Sequence, residues 1–233
     1  MGTNKLSVSK TFVRQAIKSS QNYVTRHAKN MPQAENLHLG ESREIFATIL
    51  FIDLRGSTKL SQELSLDDQM KILYTYLTVA TQVAKASGAY IEKYTGDGIM
   101  GIFGQSDIMP TAQDTVRNAL ETSKGIIQAV YNVVNPVFRE QGLPEIHCAA
   151  GLDCGQILIS RIGIRGENDL VAIGEAANMA SKIENATRAG HVGIGHRAHK
   201  VLLPTGHAHR FLKNFLTFNS SIGDYSFYTY DVR

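Results

Sequence analysis

Two aspartates stand where chemistry would need them. Asp53 closes the run Ala47-Thr-Ile-Leu-Phe-Ile-Asp53 and is followed by Leu-Arg-Gly-Ser-Thr58. Asp97 lies in Glu92-Lys-Tyr-Thr-Gly-Asp97-Gly-Ile-Met-Gly-Ile-Phe103. Each sits at the edge of a strongly apolar, strand-like run, where a carboxylate is costly to bury unless a cation or a donor meets it. Taken singly, each has an ordinary explanation: Asp-Gly is a common hairpin turn, and an aspartate before a helix is a cap. Delivered together from neighbouring strands, beside a Gly56-Ser57-Thr58 turn that opens a helix, they can hold Mg²⁺ against a polyphosphate.

The bulk properties narrow the setting. The chain has 233 residues, 43% of them hydrophobic, with a net charge of +3. That length suits one substantial domain plus an extension. The charge is too mild for a nucleic-acid partner. No apolar run approaches the roughly 20 residues that span a bilayer, and no basic-then-apolar segment opens the chain. The expectation is therefore a cytoplasmic protein without direct membrane insertion. Cys148 and Cys154 lack CxxC spacing and share a strand parity, which reads as a reduced pair in the core. His196, His199, His207 and His209 cluster near a loop and read as solvated surface residues rather than a zinc site. No GxxxxGK[ST] motif is present, which excludes the P-loop class.

The elements that must position the aspartates follow from periodicity. Residues 7–30 read as an amphipathic helix carrying Phe12, Ile17 and Val24, and a polar stretch from Asn30 to Arg43 reads as a linker. The division expected is therefore 1–43 for helix and linker, 44–233 for the main domain. The helix either packs on the same domain or serves as a dimerisation arm. Strands are expected over 45–53, 89–95 and 98–103, the last two joined by a hairpin at Gly96-Asp97-Gly98. Ser57 or Thr58 is expected to cap the turn after Asp53. Helices are expected over Leu66–Ser87 and 110–139. A strand pair around Gly155 covers 145–153 and 156–162, a short strand 170–173, and a helix Glu175–Arg188. Strands over 191–195, 210–218 and 225–232 finish the chain. The fold class is α+β, a ferredoxin-like core with a mainly antiparallel sheet and flanking helices.

Four blocks carry a resemblance to a known family: Phe51-Ile-Asp53-Leu-Arg-Gly-Ser-Thr58, Lys93-Tyr-Thr-Gly-Asp97-Gly, Gly151-Leu-Asp-Cys-Gly155 and Ile173-Gly-Glu-Ala-Ala-Asn178-Met-Ala-Ser-Lys182. In order and spacing the chain resembles the class III nucleotidyl cyclases from about Glu44 to Val232. The resemblance implies a homodimer with active sites shared across the interface. It also implies attack of a 3′-hydroxyl on the α-phosphate of a nucleoside triphosphate, with pyrophosphate leaving. Two Mg²⁺ or Mn²⁺ ions per site are implied, held by Asp53, Asp97 and the carbonyl of Leu54. The backbone of Arg55, Gly56, Ser57 and Thr58 would cradle the terminal phosphates. Lys93 and Val171 match base-reading positions, Asn178 the ribose-orienting asparagine, and Arg165 a phosphate-binding arginine. Lys182 stands where the family usually has an arginine that stabilises the transition state. It keeps the charge and loses the guanidinium fork. The family's C-terminal phosphate-binding lysine has no clear match, with Asn219 and Ser220 standing about there.

Val171 bears on the substrate. Adenylate cyclases resembling this chain carry Asp or Thr there, accepting from the adenine amine, and valine accepts nothing. Lys93 only donates, which suits a base edge bearing a carbonyl. Polarity thus favours UTP, then CTP, and the chain resembles the pyrimidine cyclases of antiphage defence, whose cyclic UMP or cyclic CMP addresses a downstream effector protein. The alternatives are an adenylate cyclase making cyclic AMP and a catalytically silent nucleotide-binding regulator.

Overall fold

The computed structural model describes residues 26–27, 30–32, 36–107, 109–205, 211–216 and 225–232. Most of the helix expected over 7–30, with Phe12, Ile17 and Val24, falls outside the described residues, as do His207, His209, Asn219 and Ser220. The end that is described is strand, not helix: β1 (Arg26–His27) lies parallel to Arg43 and Glu44. The stretch expected as a linker is attached to the domain. Leu37 is buried in it and Met31 donates to the carbonyl of Gln105.

The centre of the sheet is β2 (Ser42–Leu54), whose residues are covered on both faces, so its sequence is an almost unbroken apolar run. It pairs antiparallel with β4 (Gly98–Gly104) on one side and β5 (Cys148–Ile164) on the other. With β3 (Tyr90–Tyr94), β7 (His191–Gly195), β8 (Leu212–Leu216) and β9 (Tyr225–Asp231), the order is β3-β4-β2-β5-β7-β9-β8. Among the described strands only β5 with β7, and β1 with β2, run parallel. β6 (Glu167–Ile173) forms a hairpin with the far half of β5. The architecture is the α+β sheet with flanking helices that the sequence implies.

Between strands the chain forms α1 (Ser57–Glu63), α2 (Leu66–Ala86), α3 (Ala112–Ala129), α4 (Asn135–Glu140), α5 (Glu175–Ala186) and α6 (His196–Leu202). Helices α2 and α3 cover one face, packing Tyr76, Val116, Ile126 and Ile127 against Leu50, Ile52 and Phe103. Helix α5 covers the other with Ala176 and Ala180, over Ile49, Met100 and Ile157. It lies almost on the sheet, because a Cβ at Gly151 would collide with the backbone of Ala180 and Glu184.

Three local expectations are corrected. Gly155 does not end a strand: β5 is a continuous strand of 17 residues, with Gly155 in register with Ala47. The turn comes at Arg165-Gly166 instead, where Gly166 has φ 93°. The helix expected over 110–139 widens by a π-type turn at Val130–Val134 before α4. There the Asn135 amide exchanges two 2.9 Å hydrogen bonds with the backbone of Ile146, and such widenings mark places where the ladder has been locally interrupted. His196 and His199 are on α6 rather than a loop, and His199 is buried, stacked on Tyr228 with ring centroids 3.6 Å apart. Both cysteines are free and buried, as expected, and burial pushes each thiol up to about 12. Among the described residues no helix is long and apolar enough to cross a membrane.

Candidate active site

The antiparallel pairing of β2 with β4 sets Asp53 opposite Gly98, the residue after Asp97. A Cβ at position 98 would stand 2.7 Å from the Asp53 Cγ, so glycine is what leaves room for that carboxylate over β4. The Leu54 N–H donates to Asp53 Oδ1 at 2.8 Å and to the Asp97 carbonyl at 3.3 Å, tying the two corners together. Burial pushes the Asp53 carboxyl up to about 7, helped by the charges of Asp97 and Glu184 and opposed by the Leu54 N–H. The charged form of Asp53 is therefore disfavoured unless a counter-charge meets it. The donor set is all oxygen and half-buried, which fits a hard divalent cation. Among the described residues no group of three or more His, Cys, Asp or Glu gathers to hold a metal, so the candidate donors here are two carboxylates and a backbone carbonyl. A cleft of about 380 Å³ opens beside the pair, lined by Leu54, Ser57, Thr58, Gln69, Gly96 and Asp97.

The turn after Asp53 is built differently from expectation. Neither Ser57 nor Thr58 caps it; the cap position is Gly56, in the left-handed region at φ 78°, and no side chain caps α1. The Arg55 side chain turns away from the cleft. Its Nη1 pairs with Glu184 Oε1 at 2.6 Å, its Nε donates to the Thr187 carbonyl at 3.2 Å, and its Nη2 donates to the Glu184 carbonyl. Arg55 is thus spent on α5, leaving only its backbone for any phosphate. Sequence reading missed Glu184, whose sole signal was an acidic residue on the expected inner face of a helix.

Strands β3 and β6, which carry Lys93 and Val171, are linked through Glu92 and Ala172. The β5–β6 hairpin folds over the face that holds Met100 and Tyr90, and Leu170 joins that cluster. Buried Glu92 joins the two strands: its Oε1 accepts from the Ala172 N–H at 3.4 Å, and its Oε2 lies 3.0 Å from Lys93 Nζ. Val171 is half-buried, opposite Ser160.

Asn178 and Lys182 share the exposed face of α5, opposite the buried Ala176, Met179, Ala180 and Ile183. The structure therefore places them on a surface, away from the sheet that carries the aspartates. Arg165 is exposed in the β5–β6 turn and makes no ion pair with either aspartate. A second missed group buttresses the start of α5. Fully buried Asp153 accepts from Tyr225 Oη at 2.5 Å and from Arg197 Nε at 3.3 Å, and Arg197 Nη1 reaches Glu175 at 2.9 Å.

The family profile of the adenylate and guanylate cyclase catalytic domain matches residues 41–215, which takes in Asp53, Asp97, Lys93, Val171, Asn178 and Lys182. The chain belongs to that family. It is 31% identical over 161 residues to a uridylate cyclase of Burkholderia cepacia, covering 67% of each chain. It is 26% identical over 156 residues to a cytidylate cyclase of Staphylococcus aureus, covering 66% of this chain and 36% of that one. The chain thus spans about a third of the second relative's length. The fold is shared with the adenylyl cyclase CyaB of P. aeruginosa at a TM-score of 0.72 and 24% identity, over 83% of this chain and 97% of that one.

Proposed function

We propose that the chain is a nucleotidyl cyclase that converts UTP, and less readily CTP, to the 3′,5′-cyclic nucleotide and pyrophosphate. The observation that carries this reading is the facing of Asp53 and Asp97 across β2 and β4, beside an open cleft and an uncapped turn. Asp53, Asp97 and the Leu54 carbonyl would hold two Mg²⁺ or Mn²⁺ ions. When bound, these supply activation of the 3′-oxygen and neutralisation of the leaving pyrophosphate. The backbone from Arg55 to Thr58 meets the terminal phosphates. Lys93 donates to a base carbonyl beside Val171, which offers an amine nothing. Asn178 orients the ribose, and Lys182 and Arg165 offset charge developing on the transferred phosphoryl group.

Because Asn178 and Lys182 face outward, the complete site needs a second copy of the chain to bring its carboxylate pair to them. A C₂ dimer would hold two identical sites. The cyclic pyrimidine nucleotide would act in the cytoplasm as a second messenger of antiviral defence, read by a separate effector protein.

The test is product analysis with each of the four nucleoside triphosphates, with Mg²⁺, Mn²⁺ or chelator. Cyclic UMP as the main product, lost on chelation, is expected. Mainly cyclic AMP would replace the base assignment with that of an adenylate cyclase. Tight nucleotide binding with no cyclic product would make the chain a silent regulator.

A further inference from the structure

Strand β3 contains one residue too many. Ile91 faces Gly101 and Lys93 faces Met100, so two successive residues of β4 oppose three of β3, and Glu92 is the extra one. Such a bulge re-aims side chains that would otherwise alternate across the sheet. Here neighbours in sequence meet as an ion pair, with Lys93 Nζ 3.0 Å from Glu92 Oε2. The two ends of the pair differ sharply in exposure: the Glu92 side chain is 2% exposed and that of Lys93 47%. The ammonium lies off the hydrogen-bonding line, and Oε2 has no hydrogen-bond donor among the described residues. The other oxygen accepts from the N–H of Ala172, the residue next to Val171. A buried carboxylate persists only where partners compensate it, and here the partners are Lys93 on β3 and the Ala172 N–H on β6.

Resting on the reading of Lys93 and Val171 as base contacts, we propose that Glu92 is a positioning residue that confers selection for a base with a ring carbonyl, uracil, over bases that present an amine. A lysine on a free four-carbon stem donates to any acceptor in reach. Held from beneath by a buried anion that also accepts from β6, its remaining N–H groups are left for a base placed beside that strand. A uracil carbonyl placed there is satisfied. An exocyclic amine of adenine or cytosine meets another donor and an apolar neighbour, and is left unpaired, which discriminates against it by repulsion as well as by lost attraction. Glu92 also offsets the charge of Lys93, so that covering the ammonium with a flat base costs less.

The experiment compares wild type with Glu92→Gln, which keeps an amide oxygen for the Ala172 N–H and removes the charge. Steady-state turnover of UTP and ATP is measured together with equilibrium binding of each nucleotide by calorimetry in Ca²⁺. The preference for UTP over ATP should fall about tenfold in Glu92→Gln, through KM for UTP rather than kcat. The same substitution made on Lys93→Gln should change the preference less than about twofold, because the partner it acts through is gone. Equal loss for both nucleotides, or effects that add, would overturn the proposal. Should Glu92→Gln fail to fold, Lys93→Arg and Lys93→Gln decide: retention of the preference by Arg and loss by Gln supports the ion pair, and equal preference in both overturns it. Wild type that binds UTP over ATP but forms no cyclic product would sink the cyclase reading alone, since the binding ratio still decides the role of Glu92. Wild type that binds both equally would sink this inference.

Discussion

Arg55 Nη1 lies 2.6 Å from Glu184 Oε1, so the turn that follows the first carboxylate is tied to the last turn of α5 by a largely buried ion pair. The same guanidinium satisfies the carbonyls of Glu184 and Thr187. Replacing Arg55 with methionine keeps the volume and strands a buried carboxylate, which costs about 3–5 kcal/mol. The expected result is a fall in Tm of roughly 10 °C. Adding Glu184→Gln should recover part of it. A Tm equal to wild type in Arg55→Met would show that the pair holds nothing.

Removing either metal-facing carboxylate should separate activity from stability. Asp53→Ala and Asp97→Ala are each expected to abolish cyclic product with Mg²⁺ and with Mn²⁺. Because the two charges oppose one another across β2 and β4, neither variant should unfold earlier than wild type when cation is absent. Thermal melts and product analysis on the same preparations check both halves. Near-native turnover in either variant would remove that residue from the site.

Much of this arrangement was legible in the chain. The apolar runs ending at Asp53 and beginning at Gly98 report strands buried on both faces, and their edges locate the carboxylates. Gly155 misled because glycine in a strand has two meanings, and only packing tells them apart. At position 155, beneath α5, an added Cβ would meet Ala176 at an ordinary contact distance of 3.8 Å, so no turn or close approach demands glycine there. Gly166 is the one whose positive φ makes the turn. The role of the Arg55 side chain was hidden for another reason. A basic residue in a phosphate-binding turn invites a phosphate partner, and Glu184 lies 129 residues away. Glu92 could be named but not placed, because the bulge that swings it toward Lys93 leaves no trace in local alternation. Asp153 gave no local signal of its partners, which come from α6 and β9.

Asp153 makes a prediction about pH. Burial holds its carboxyl above the ordinary aspartate range, although Tyr225 and Arg197 pull it back. The folded state then keeps this proton to higher pH than the unfolded chain does. Its contribution to stability therefore falls as pH rises from near the ordinary value of 3.8 through the raised one, and is level above that. Urea unfolding of wild type and Asp153→Asn across this range should show a difference that tilts toward the asparagine variant with rising pH and then flattens. A difference independent of pH would mean that Asp153 does not titrate between the two states.

The cysteines give a second titration result. With both thiols pushed up to about 12 by burial, almost no thiolate exists at pH 8, and thiolate is the reactive form. Iodoacetamide at that pH should leave both unmodified in the native protein and alkylate both in urea. Rapid native labelling of either would contradict its placement in the core.

The last prediction concerns how the halves of the site combine. Asp53 and Asp97 stand at the cleft end of β2 and β4, while Asn178 and Lys182 line the outer face of α5. If the active site forms between two copies, Asp53→Ala alone should be inactive, because both sites of the dimer lose a carboxylate. Asn178→Ala alone should be severely impaired, because both lose ribose orientation. Mixed under conditions of subunit exchange, half of the dimers formed at random are heterodimers. In each of these, one site carries both lesions and the other carries neither. Activity should return to roughly a quarter of wild type. Exchange is followed independently with differently tagged chains. Should tagged heterodimers form and activity stay at the level of the separate variants, Asn178 and the carboxylate pair must act within one chain, and α5 would have to turn its outer face toward its own sheet.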